Sequence, residues 1–231
     1  MRAKTFITLT ALSVLATALP GMAAAEDASS APVQKDAAKQ AGSAAEEDIA
    51  VSSDKGAKNF VVGISDKVFK VMNSQTFSAE KKESVLADIF NKYVDTKWMG
   101  TFVLGRYMQQ LSPEQKKHYL ELYHDYMIHS YVPRFRDYTG RDYEILRTEE
   151  KTNGEVVVQV RLKSMKGSEP DVNAYYRLHK TDGTYKVIDF SGEGVSMITT
   201  QRSDFGGMIS QKGVEHFLER LEAKVKSQAK E

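Results

Sequence analysis

The hydrophobic period switches from helical to alternating at Gly140, and that change restricts the fold more than any single motif. Before it, apolar residues recur at helical spacing; after it, they alternate with polar ones, as on strands with one buried face. Phe60, Ile64, Val68, Val71 and Met72 share one helical face. Val85, Leu86, Ile89, Phe90 and Tyr93 form a second, opened by Ser78, and a short apolar segment from Trp98 to Leu104 stops at Gly105. Ser112-Pro113-Glu114-Gln115 predicts the sharpest helix start. Ser112 caps, Pro113 fits the first helical position, and Gln115 completes a capping box. Tyr119, Leu122, Tyr123, Tyr126, Met127 and Tyr131 line one side of this helix, and Pro133 kinks or ends it.

Beyond Gly140, Tyr143 and Ile145 begin a strand, and Asn153-Gly154 predicts a hairpin with positive φ at both turn positions. Val156, Val158, Val160 and Leu162 share one face of the second strand. The third strand presents Val172, Ala174, Tyr176 and Leu178 on one face, and Asp182-Gly183 turns into a fourth, Tyr185 to Phe190. Gly192-Glu193-Gly194 reads as a bend requiring positive φ. Two closing helices follow, the last marked by Val214, Phe217, Leu218, Leu221 and Val225. The order predicts an α+β fold: N-terminal helices, a four-stranded antiparallel meander and C-terminal helices, packed on one face of a curved sheet.

The N-terminus carries Arg2 and Lys4, a 14-residue apolar run from Phe6 to Leu19, and the small residues Ala23-Ala24-Ala25. This pattern predicts a signal peptide over residues 1–25, too short to span a ~30 Å hydrocarbon core, and so an exported, periplasmic protein. Residues 26–57 contain no aromatic and only Val33, Ile49 and Val51 as large apolars, which predicts a disordered spacer before a domain over 58–227. Cysteine is absent, so the fold uses no disulfide and no thiol chemistry, and no lipid anchor follows the leader. The chain holds 32 basic and 31 acidic residues. Two of the basic ones lie in the leader, so the mature part is close to neutral. It lacks the electrostatic footprint of a nucleic-acid partner, and it suits transient rather than tight contact with an acidic membrane.

The search for chemistry returns little. On one helix His118 and His129 stand three turns apart, ~16 Å, too far to share a metal. There is no HExxH pair, no exposed-serine elbow and no phosphate-binding glycine loop, so neither catalytic residues, metal ligands nor cofactor are predicted. Asp189, in an apolar strand, is either a general base in a small cupped isomerase or a structural partner of Arg177 or Arg202. The tyrosine-rich helix face is either ordinary core or the wall of a cavity with an apolar floor and a wet mouth.

Several short segments carry a resemblance. Val103-Leu104-Gly105-Arg106-Tyr107, the SPEQ start, Tyr138-Thr139-Gly140, Tyr176-Arg177-Leu178 and the run Asp182 to Phe205 occur in the order and spacing of one family. Between Phe60 and Val225 the chain resembles the MlaC, or toluene-tolerance, family of periplasmic phospholipid-binding transport proteins. Gly194-Val195-Ser196 with Arg202-Ser203 and Phe205 is the most specific part. The chain departs from the family pattern at Met108, at Tyr185 and Ile188, and at Gln201 and Asp204, which bears on cavity lining and lipid preference rather than on the fold.

The resemblance implies an apolar cavity enclosed by an NTF2/cystatin-like cupped sheet. It implies a non-enzymatic shuttle that carries glycerophospholipid as cargo between outer and inner membranes, as the binding component of an ABC-transport system that maintains outer-membrane lipid asymmetry. The implied partners are an inner-membrane ABC transporter with its periplasmic lipid-binding subunit and an outer-membrane lipoprotein complex. A carrier for hopanoid-type lipids and an isomerase using Asp189 are the alternatives. Each buried methylene contributes ~0.8 kcal/mol, so acyl tails leave a bilayer only for a comparably apolar interior. The expected cavity wall is Trp98, Phe102, Tyr126, Met127, Tyr131, Val158, Val160, Tyr176 and Val187.

Overall fold

The computed structural model describes residues 55–164 and 170–229. The expected signal peptide, and the expected spacer as far as residue 54, lie outside the described residues. Helix α1, Lys55–Met72, begins within the last three residues assigned to that spacer; Ala57 is fully buried, so the packed body starts there. Helix α2 is Ala79–Tyr93, its first turn closed by Ser78, whose side chain accepts from Lys81 N. Helix α3, Thr96–Leu104, uses Asp95 the same way, accepting from Trp98 N at 2.9 Å. A 3-10 turn, Gly105–Gln110, leads to helix α4, Pro113–Tyr131. The capping box at its start is complete: Gln115 N donates to Ser112 Oγ, and Ser112 N to Gln115 Oε1. Pro133 opens a second 3-10 turn, Pro133–Tyr138, as a residue without an N–H to continue the α-helical ladder does.

The sheet has five antiparallel strands in sequence order. They are β1 (Arg141–Glu150), β2 (Val156–Ser164), β3 (Val172–Thr181), β4 (Thr184–Gly192) and β5 (Val195–Ser196). The count corrects the expected four. Glu193 and Gly194 both adopt positive φ, 47° and 83°, so what reads as a bend is a two-residue hairpin turn that pairs Gly192 with Val195. Asp182-Gly183 is a turn of the same kind, at 51° and 75°. Asn153-Gly154 is not, because among the two only Gly154 has positive φ. Gly154 N donates to Lys151 O and Lys151 N to Glu155 O, a three-residue loop with a left-handed glycine at its end.

Helix α5, Met197–Lys212, and helix α6, Val214–Gln228, close the chain. Tyr119, Tyr123, Phe217 and Ile198, all fully buried, fill the junction of α4, α5 and α6. Two bulges shape the sheet. One lies between Ile145 and Arg147 in β1. The other is in β4, where Arg177 faces Asp189 but the next residue, Leu178, faces Val187, leaving Ile188 as the extra residue. The second bulge exchanges the faces of β4, and this decides what lines the interior.

Candidate functional site

Helices α1 and α4 stand over the inner face of the sheet, and between them lies a cavity of about 190 Å³. From α1 it is walled by Ser65, Val68, Phe69 and Met72. From α4 and the turn after it come Met127, Tyr131, Arg134, Phe135 and Tyr138. The sheet contributes Leu162, Val172, Ala174, Tyr176 and Phe190, and Phe90 and Met197 complete the apolar lining. Apolar side chains dominate the wall, as they do in sites that bury apolar ligands.

The β4 bulge explains a residue that period-two reading misses. Strict alternation places Tyr185, Val187 and Asp189 on one face. Because Ile188 is extra, the inward set becomes Tyr185, Val187 and then Phe190, which pairs with Tyr176. The two rings meet edge to face at 5.1 Å between centroids and form part of the cavity floor. Asp189 is turned away. Its carboxylate accepts from Ser196 Oγ at 2.6 Å and from Ile198 N at 3.2 Å, so it fastens the first turn of α5 to the sheet. Burial pushes the Asp189 carboxyl above its ordinary range against the opposing pull of these hydrogen bonds and of Arg177.

Of the nine expected wall residues, the structure places Met127, Tyr131 and Tyr176 on the cavity. The other six lie elsewhere. Val158 and Val160 share the face of Leu162, but they are fully buried in the closed part of the core. An aspartate at either would attack the fold itself and report nothing on cavity contents. Val187 pairs with Leu178 and its carbonyl accepts from Asp95 N, which locks the start of α3 to the edge of β4. Tyr126 packs between Tyr123 and Phe205 in the helical layer. Trp98 and Phe102 stack on each other at 5.5 Å under the guanidinium of Arg177, which alternates with Tyr176 along β3 and so belongs to the outer face.

A buried polar chain braces the α4 side of the wall. Tyr123 Oη donates to Gln201 Oε1 at 2.6 Å, and Gln201 Nε2 donates to Tyr131 Oη at 3.0 Å and reaches Met127 Sδ. Burial drives the phenols of Tyr123, Tyr131 and Tyr176 above their ordinary range, so all three are neutral hydrogen-bonding groups at physiological pH. On the α1 side, Ser65 is 2 % exposed. Its hydroxyl lies near enough the Tyr176 phenol to ease that group's ionisation slightly, yet completes no hydrogen bond and remains available to an acceptor inside the cavity.

A second constellation joins the segments singled out in the sequence. Gly105 adopts φ 52°, ψ −124°, a region few residues other than glycine occupy. The Arg202 guanidinium packs directly on it, over the Phe102 ring and donating to the Phe102 carbonyl. Tyr107 Oη donates to Gly206 O at 3.4 Å. The motif residues near 105 and 202 therefore form a clasp between α3 and α5, outside the cavity. Among the described residues no group of three or more His, Asp or Glu could hold a metal, and no helix is long and apolar enough to cross a membrane.

The family model described as MlaC protein matches residues 63–223, which contain the cavity, the clasp and all five strands. The chain belongs to the MlaC family. One curated MlaC, the intermembrane phospholipid transport system binding protein of Haemophilus influenzae, is 22 % identical over 164 residues, spanning 68 % of this chain and 76 % of that one. Among solved structures, the phospholipid-binding protein of Ralstonia solanacearum, determined in complex with a phospholipid, superposes with a TM-score of 0.64 at 18 % identity. That match covers 75 % of this chain and 98 % of the other, and it shows that the MlaC fold described here is shared across it.

Proposed function

We propose that this MlaC-family chain is a periplasmic carrier that holds the acyl chains of a glycerophospholipid between α1, α4 and the sheet while the lipid moves between membranes. The apolar cavity carries this reading. An engineered apolar cavity of ~150 Å³ accepts benzene, so about 190 Å³ accommodates roughly eight carbons of a hydrocarbon tail. At ~0.8 kcal/mol per methylene their burial contributes about 6 kcal/mol toward extraction from a bilayer. The names of the Haemophilus and Ralstonia proteins support the same ligand class.

The lipid is cargo rather than cofactor, and the engagement of both Asp189 oxygens as a helix tether supports a carrier over an isomerase. In this reading the cell uses the protein with an inner-membrane ABC transporter, its periplasmic lipid-binding subunit and an outer-membrane lipoprotein complex, with brief membrane contact, to keep the outer membrane asymmetric. The cup formed by the five strands is of the NTF2/cystatin kind. The revised ligand wall is centred on Tyr131, Ala174, Tyr176 and Phe190.

The test is direct. Protein purified from its native host without detergent is extracted with organic solvent, and the extract is identified by mass spectrometry. A glycerophospholipid near one per chain is expected. A lipid-free protein that also fails to take lipid from vesicles ends the carrier reading, and a polycyclic triterpenoid in its place selects the hopanoid alternative.

A further inference from the structure

Arg134 is the one charged side chain on the described cavity wall; every other lining residue is apolar or carries a neutral polar group. A guanidinium offers five N–H donors. Arg134 uses one: Nε donates to Ser130 O at 2.8 Å, closing the last turn of α4 and holding the plane of the group. Its two terminal nitrogens donate to no acceptor among the described residues, and it forms no ion pair with them. Among the described residues, Asp204 of α5 is an acid whose field overlaps its own, since both act on the phenols of Tyr126 and Tyr131. The side chain is half-buried with its terminal nitrogens open to approach, and a planar fork with two free corners fits a tetrahedral oxyanion bidentately.

We infer that Arg134 is the anion subsite of the cavity, binding a phosphate group carried on the acyl-chain ligand seated inside. The inference rests on the carrier reading above and narrows it. The ligand is an anionic or zwitterionic phosphate-bearing amphiphile, and its headgroup phosphate lies at the junction of α4 and the 3-10 turn. An arginine that merely caps a helix C-terminus would have no such preference.

The full mature chain, stripped of lipid, is titrated with three probes: a lysophosphatidic acid, the monoacylglycerol of the same acyl chain, and inorganic phosphate. Arg134→Gln and Arg134→Lys are compared with the unmodified protein, with thermal melting of each recorded. The expected result is that Arg134→Gln weakens lysophosphatidate about tenfold or more and leaves the monoacylglycerol unchanged. Arg134→Lys, which keeps the charge but loses the Nε bond to Ser130, retains most lysophosphatidate binding even if it melts lower. Equal weakening of both amphiphiles, or of neither, overturns the subsite while leaving the carrier reading in place. So does inorganic phosphate that competes as strongly as lysophosphatidate, since the site would then serve a free anion. Failure of the unmodified protein to bind either amphiphile overturns both readings.

Discussion

Filling the cavity from the sheet side separates ligand binding from folding. Ala174 lies on the inner face of β3 with open space before it, and its strand neighbours tolerate a large aromatic. An Ala174→Trp indole, nine ring atoms, would take up most of the about 190 Å³, the volume assigned above to roughly eight carbons of ligand. The ligand then forfeits about 6 kcal/mol of burial, which corresponds to about 10⁴-fold weaker binding. Stability moves far less. Filling void space contributes up to about 4 kcal/mol at ~24 cal/mol per Å³, and imperfect fit costs about 1–3 kcal/mol, so the variant melts near or above the parent. The assay is extractable lipid per mole of protein after detergent-free purification, together with transfer of fluorescent phospholipid between vesicles. Lys163→Trp, on an exposed position of β2, is the control and keeps its lipid. A folded Ala174→Trp protein that carries the parental amount of phospholipid would refute the placement of the tails.

Gly105→Ala combines a left-handed backbone with a new Cβ 2.7–2.8 Å from the Arg202 guanidinium atoms. The strain is about 1–3 kcal/mol, and at 2–4 °C per kcal/mol the melting temperature should fall by roughly 2–12 °C; an unchanged melt would show that the clasp is not rigid. For Asp189, the folded-state carboxyl titrates above its ordinary value of 3.8, so between those two values the folded state binds more protons than the unfolded state. Stability of the parent relative to Asp189→Asn should therefore rise as pH falls through that window and stay flat above it. Urea midpoints at pH 7 and pH 4.5 measure this, and a relative stability that falls on acidification contradicts the environment assigned to Asp189.

The local chemistry of elements was legible in the sequence wherever one residue type satisfies one backbone need. Ser112 with Pro113 and Gln115 announces α4, Gly140 marks the passage to strands, and Asp182-Gly183 specifies its turn, because each acts through neighbours a few positions away. The fifth strand escaped notice because two residues have no period to read, although Glu193-Gly194 carried the signal of a hairpin. The site was legible in part. Tyr131, Met127 and Tyr176 lie on faces that simple periodicity identifies, whereas Phe190 reaches the cavity through a bulge no pattern announces. Trp98 and Phe102 misled for another reason. Large aromatics suggest an interior, but these two cover the outer face of the sheet beneath Arg177, where ring faces meet cations. Whether an apolar residue borders void or packed core depends on which helix lies over it, and that is a property of the tertiary fold.

The cavity volume has a consequence for how a two-tailed lipid enters. Roughly eight carbons fit as the wall stands, and two ordinary tails carry several times as many, so the proposed carrier reading requires α1 to part from α4 on loading. The two helices are held differently. Helix α4 is braced by the Tyr123–Gln201–Tyr131 chain, in which Tyr123 and Gln201 are buried, and by Tyr119 Oη donating to Gly100 O at 2.9 Å. Displacing it strands several buried polar groups at once, each costing about 1–3 kcal/mol. Helix α1 is held to β1 near the surface: Tyr143 Oη donates to Asp66 Oδ1 at 2.6 Å, Gly140 N donates to Asn73 Oδ1 at 3.1 Å, and Phe69 stacks on Tyr143 at 5.4 Å. Water replaces such exposed hydrogen bonds at little net cost, leaving mainly apolar contact to be exchanged for contact with the incoming tails. Under the proposed carrier reading, the more exposed polar attachments of α1 make it the wall that moves, with α4 and the sheet as the frame.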